Sequence, residues 1–121
     1  MKRIISFILL VGVMLTLLCS CSGDSKFVGT WHCDEWVSFT GTKYHNAKIV
    51  LNDDGTGSIK DSEEWATYKL TWEEISENSI LIYVEHLDGG SPGAEYRYEE
   101  IVGVPHLIFD NGSVHKDFYK Q

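Results

Sequence analysis

Cysteine, proline and positive charge are all scarce in this chain, and each scarcity excludes something. The 121 residues include three Cys, two Pro, and ten basic side chains against 18 acidic ones. Beyond residue 21 only Cys33 remains, so the body has no disulfide framework and must be held by its own core. The acidic surplus argues against nucleic acid, which needs a basic footprint. It also argues against a domain lying flat on anionic lipid. The longest apolar run, Ile4 to Leu18, has no charge in fifteen residues. That is short of the roughly 20 residues a membrane-spanning helix needs. Phosphate loops and Gly-x-Ser-x-Gly elbows are absent too, and no Ser-His-Asp set can be identified by spacing.

That apolar run has a different reading. Lys2 and Arg3 form a basic head before it, the pattern of a secretory signal peptide spanning residues 1–20. Leu18, Cys19, Ser20 and Cys21 follow. This quartet resembles the lipobox of bacterial lipoproteins, in which Leu at −3 and a small residue at −1 precede a cysteine that becomes acylated. Cys21 fits with Ser20 and Leu18 before it, whereas Cys19 would have bulky Leu18 at −1. The resemblance implies lipid attachment at Cys21, a membrane partner through its acyl chains, and a cell-envelope location. Ser22 rather than Asp at +2 favours the outer membrane over the cytoplasmic one. Two acyl chains suffice for stable anchoring. Residues 21–26 then form the lipidated N-terminus and its tether, and residues 27–121 a single domain without a Pro- or Ser-rich linker. Without Lys2 and Arg3, eight basic residues face 18 acidic ones, a formal charge of −10. Such charge promotes solubility and mutual repulsion.

Within that domain, apolar and polar residues alternate with period two. The segments are Trp31–Asp34, Ala47–Leu51, Gly57–Lys60, Ala66–Trp72, Ile80–Val84, Glu95–Glu99, Val104–Phe109 and Val114–Tyr119. Turn chemistry separates them: Asn52–Gly55, Ser76–Ser79, Leu87–Gly93, and the Asn111-Gly112 pair that suits a type I′ hairpin. No segment has a helical period. About eight short strands in sequence order predict an all-β, antiparallel up-and-down meander that closes as a small barrel and so removes its edges. A two-layer sandwich is the alternative. After Asp34 and Glu35 the alternation stumbles, which predicts a bulge and an exposed Trp36.

Phe27, Val28, Gly29, Thr30 and Trp31 resemble the Gly-x-Trp opening of lipocalins and of small bacterial lipocalin-like lipoproteins. The Asp54-Gly55-Thr56-Gly57 turn after a strand, the strand bearing Tyr68, and the C-terminal Phe118 and Tyr119 are similar to that family as well. The resemblance implies a barrel in which an Arg of the last strand packs on the opening Trp; this chain departs from that pattern, and the nearest basic candidate is Lys116. Trp31, Tyr68, Trp72, Tyr96 and Tyr98 fall on the apolar strand faces. They are expected to point inward, lining a pocket for a small hydrophobic ligand or simply filling the core.

Other chemistry is weakly represented. The pairs Glu63-Glu64, Glu73-Glu74 and Glu99-Glu100 place neighbouring carboxylates on opposite faces of any strand, which does not make a two-carboxylate site. His32 with Asp34, and His115 with Asp117, share faces but lack further ligands for a structural metal site. Asn52 to Asp61 fails as a calcium loop because Val50 would occupy the first ligand position. Asn111-Gly112-Ser113, formally a sequon, reads as a turn, and Cys33 as a small buried apolar residue. The expectation is a non-enzymatic, cofactor-free binding protein, with the ligand in or at the mouth of a barrel. The alternative is a filled barrel acting as a protein-interaction or protease-inhibitor-like module toward an envelope partner.

Overall fold

The computed structural model describes residues 25–85 and 93–121. The signal peptide, the lipobox with Cys21, and nearly all of the Leu87–Gly93 connection lie outside the described residues. Eight strands follow in order: β1 (Gly29–Val37), β2 (Lys43–Leu51), β3 (Thr56–Lys60), β4 (Tyr68–Ser76), β5 (Ser79–Val84), β6 (Ala94–Ile101), β7 (Val104–Asp110) and β8 (His115–Lys120). Each pairs antiparallel with its neighbours in sequence, and β8 returns to β1 through Trp31–Lys120 and His32–Tyr119. The sheet is a closed up-and-down barrel rather than a sandwich.

Alternation dictates what fills it. Trp31 and Cys33 of β1, Ala47, Ile49 and Leu51 of β2, Ile59, Leu70, Ile80, Ile82, Tyr96, Leu107 and Phe118 are all buried in one cluster. An eight-stranded barrel is just wide enough inside for side chains to fill or for one small ligand, and here these residues pack the interior as one cluster. Gly57 shows how closely the wall is packed. A Cβ there would lie 2.0 Å from the Val50 carbonyl oxygen and 3.0 Å from Leu70 Cδ1.

Because the strands alternate in direction, the connections sort into two ends. Residues 52–55, 77–78 and 102–103 lie at the lower end, where the chain also enters. Residues 38–42, 61–67 and 111–114 lie at the upper end. The lower end is plugged by Phe27, which is buried and sits 5.6 Å from the Tyr98 ring and 6.3 Å from Trp72. The Trp31 indole donates to the Phe27 carbonyl at 3.0 Å. Ser25 Oγ donates to Glu74, and Lys26 Nζ to Asn78.

Lys120 completes this closure. Its Nζ donates to the Lys26 carbonyl at 2.9 Å and stands 5.4 Å from the Trp31 ring centroid. Burial pushes its pKa down. The basic partner of the opening tryptophan is therefore Lys120, not Lys116. β8 pairs with β1 so that Lys120 lies directly opposite Trp31, which puts Lys116 near the other end of the barrel.

The predicted irregularity in β1 is present, but its consequence differs. Register between β1 and β8 shifts between His32 and Val37. Opposite, β2 changes face at Asn46, whose φ is 60°. Both strands change parity at the same level, so the pair Trp36–Tyr44 stays in register and turns inward together. Trp36 is only 7% exposed, and its indole donates to the Asp61 carbonyl at 2.7 Å. The expectation of an exposed Trp36 is corrected accordingly.

Gly57→Ala should destabilise the domain by about 1–3 kcal/mol, the usual cost of overpacking, because the backbone of β2 must move. Urea unfolding followed by tryptophan fluorescence measures this, and an unchanged midpoint would refute the close packing.

Candidate functional site

The upper end holds an aromatic cleft where the lower end is plugged. Three of its connections are among the described residues. Residues 38–42 turn tightly, with Ser38 N donating to the Thr42 carbonyl and Gly41 N to that of Ser38. This carries Phe39 out to 79% exposure. In the second connection, Glu63 N donates to the His45 carbonyl and Trp65 N to that of Ser62. Trp65 is thereby laid against Tyr44, with ring centroids 4.7 Å apart, and edge-on to Trp36 at 6.3 Å. In the third, Asn111 Oδ1 accepts from the backbone N–H of Ser113 and Val114.

Between these connections lies a cleft of about 340 Å³. Trp36, Phe39, Tyr44, Trp65 and Phe109 supply its apolar faces, and Ser38, Thr40 and Asn111 its polar ones. Lys116 also lines it. Its Nζ sits 4.1 Å from the Trp36 ring centroid and donates to Asp61 Oδ1 at 3.1 Å. That cation is already paired and stacked, so it fixes the Trp36 ring more than it offers free charge. What the cleft can do chemically is stack flat apolar surface and hydrogen-bond at the rim.

The five aromatics expected from sequence are not brought together. Trp31, Trp72 and Tyr98 gather around Phe27 at the plugged lower end. Trp72 is pinned there by its indole, which donates to the Asn52 carbonyl at 3.0 Å. Tyr96 lies in the interior against Phe109 and Phe118. Tyr68 begins β4 at the upper end and is 37% exposed, but it does not line the cleft. Tyr44, Trp65 and Phe39 were not singled out by sequence. Trp65 and Phe39 had one available signal: each is a lone aromatic in a polar turn, with no strand face to belong to.

Titratable pairs also differ from the sequence reading. His32 Nε2 is 2.9 Å from Asp34, as its spacing suggests. Asp117, however, pairs with His106 across the β7–β8 ladder at 2.6 Å, and His115 pairs with Asp110. Tyr119 lies between the His32 and His106 rings and donates to Asp34 at 3.1 Å. These are exterior pairs; among the described residues no three such side chains converge on one point. Cys33 is buried, its thiol pKa raised by desolvation, and it donates weakly to the Glu35 carbonyl at 3.4 Å.

Tyr96 is the one buried phenol whose hydroxyl finds no hydrogen-bond partner among the described residues, and burial pushes its pKa far up. The folded state therefore keeps this proton above pH ~10, where an unfolded tyrosine releases it. The corresponding stability is fully present below pH ~10 and falls as pH rises above it. Tyr96→Phe should remove part of that alkaline loss. It should also leave the domain at least as stable at neutral pH, since an unsatisfied buried hydroxyl costs about 1–3 kcal/mol. Thermal melts of both proteins between pH 7 and 11 test this; a large destabilisation at pH 7 would show that the hydroxyl is bonded.

No family model matches the chain, and neither the curated proteins nor the solved structures include one detectably similar to it.

Proposed function

We propose that this chain is a non-enzymatic, lipid-anchored protein of the bacterial cell envelope that binds a small hydrophobic ligand at the mouth of its barrel. The anchor reading rests on the lipobox resemblance at Cys21, and the closed eight-stranded barrel is consistent with a lipocalin-like lipoprotein. The observation that carries the binding reading is the aromatic cleft of about 340 Å³ at the upper end. Its size falls at the lower end of the range for small-molecule sites, roughly 300–1,000 Å³. The packed core of described residues supports placing the ligand at the mouth. A flat or elongated apolar molecule with a polar edge matches the lining: rings for its faces, with Ser38, Thr40 and Asn111 for its edge.

A second reading draws on one specific feature. Phe39 is 79% exposed on a loop beside the cleft, and a protruding aromatic suits contact with an envelope protein or a protease. The two readings predict different occupants of the same end.

Native mass spectrometry on residues 22–121, secreted without the anchor, separates them. A bound mass of a few hundred daltons is expected. Trp65→Ala should weaken binding about tenfold or more, equivalent to ~1.4 kcal/mol, and Trp72→Ala should leave it unchanged while both variants stay folded. A bare folded species would favour the interaction module. Equal loss from both variants would contradict a site at the mouth.

A further inference from the structure

The lower end carries an apolar projection that the plug does not use. β6 and β7 are joined by the two-residue turn Val102-Gly103, closed by the pair Ile101–Val104. Both turn residues have positive φ, 51° and 78°, the signature of a type I′ hairpin. The first position of such a turn favours Asn, Asp or Gly, and a β-branched residue in the left-handed region is a marked outlier. Here that position holds valine, and Val102 is 97% exposed. Ile101 and Val104 beside it are exposed as well. The other lower-end turns are polar: Asn52 to Gly55, and Glu77 with Asn78. Packing within the domain does not explain an apolar, poorly suited residue at this apex.

Its position suggests the occupant. The entry segment is fixed at the same end, where Lys26 Nζ stands 4.4 Å from the Tyr98 ring centroid and Phe27 packs on that ring. From Tyr98 the strand continues toward the turn, and four further residues carry Val102 about 13 Å beyond that level at ~3.3 Å per residue. The chain from Cys21 to Phe27 reaches at most about 20 Å when fully extended. A bilayer holding Cys21 is thus brought within reach of the apex. The acidic pair Glu99-Glu100, exposed just above it, limits contact to the uncharged stretch Ile101–Val104.

We propose that the Ile101–Val104 hairpin tip seats shallowly in the lipid surface to which the chain is anchored, holding the domain upright with its cleft facing away from the membrane. This rests on the reading that Cys21 is acylated, and it adds a second, non-covalent contact that fixes orientation.

The test uses the full-length acylated protein in phosphatidylethanolamine–phosphatidylcholine vesicles. An environment-sensitive fluorophore is attached at Val102→Cys in a Cys33→Ala background, with Lys43→Cys, exposed on β2 and outside the cleft, as the upper-end control. The label at 102 is expected to shift to the blue on reconstitution and to be quenched by nitroxide lipids labelled near the headgroup. The label at 43 is expected to emit as in water. Moving the label to Val104→Cys and adding Val102→Asp should abolish the quenching while the melting temperature of the free domain holds. Water-like emission at 102 in acylated protein overturns the seating alone. An N-terminal peptide without acyl mass overturns the anchor reading and the seating with it. A blue shift that grows with protein concentration in the absence of vesicles assigns the tip to self-association and also overturns it.

Discussion

Closure at Phe27, Trp31 and Lys120 is the contact on which the rest of the barrel depends. The entry segment folds under the first strand so that Phe27 is buried and its carbonyl takes the Trp31 indole proton. The last strand then delivers Lys120 to the same indole and to the neighbouring Lys26 carbonyl. Entry segment, first strand and last strand meet in one largely desolvated spot, where a cation over an indole gains more than it would in water. Pairing of β8 with β1 leaves no sheet edge, and the plug leaves no lower opening.

With the lower end sealed by Phe27 and the described core packed between the ends, the aromatic cleft at the upper end is the place proposed for a ligand. It exists because two strands change face together. Asn46 takes up a left-handed conformation in β2 while β1 slips against β8, so Trp36 and Tyr44 turn inward side by side. Trp65 then has a surface to lie on, and Lys116, held by Asp61, supports Trp36 from the other side. A strictly alternating β1 and β2 would send both of these rings into solvent. The irregularity therefore makes the cleft, at the cost of a few ladder hydrogen bonds.

Much of the architecture was legible in the sequence because it is local. Period-two alternation in segments such as Ala66–Trp72 and the Asn-Gly and Asp-Gly turns depend on neighbouring residues only, and they map onto the eight strands. The site was less legible because register and loop packing are not local. Nothing within β8 says whether Lys116 or Lys120 lies opposite Trp31, or that Asp117 faces His106 rather than His115. Trp31, Trp72 and Tyr98 do occupy apolar faces, yet the entry segment, not a ligand, covers them. Trp65 sits in a polar loop whose conformation is set by hydrogen bonds to β2 and Ser62, which no periodicity can reveal.

The four tryptophans report on the two ends separately: Trp31 and Trp72 on the sealed one, Trp36 and Trp65 on the open one. Isotope-labelled indole N–H signals, followed by NMR while a small apolar probe such as an anilinonaphthalene dye is titrated in, read all four at once. Shifts confined to Trp36 and Trp65 are expected if the interior is filled and the mouth alone receives ligand. Shifts at Trp31 or Trp72 would contradict the sealed end and place the binding space inside the barrel.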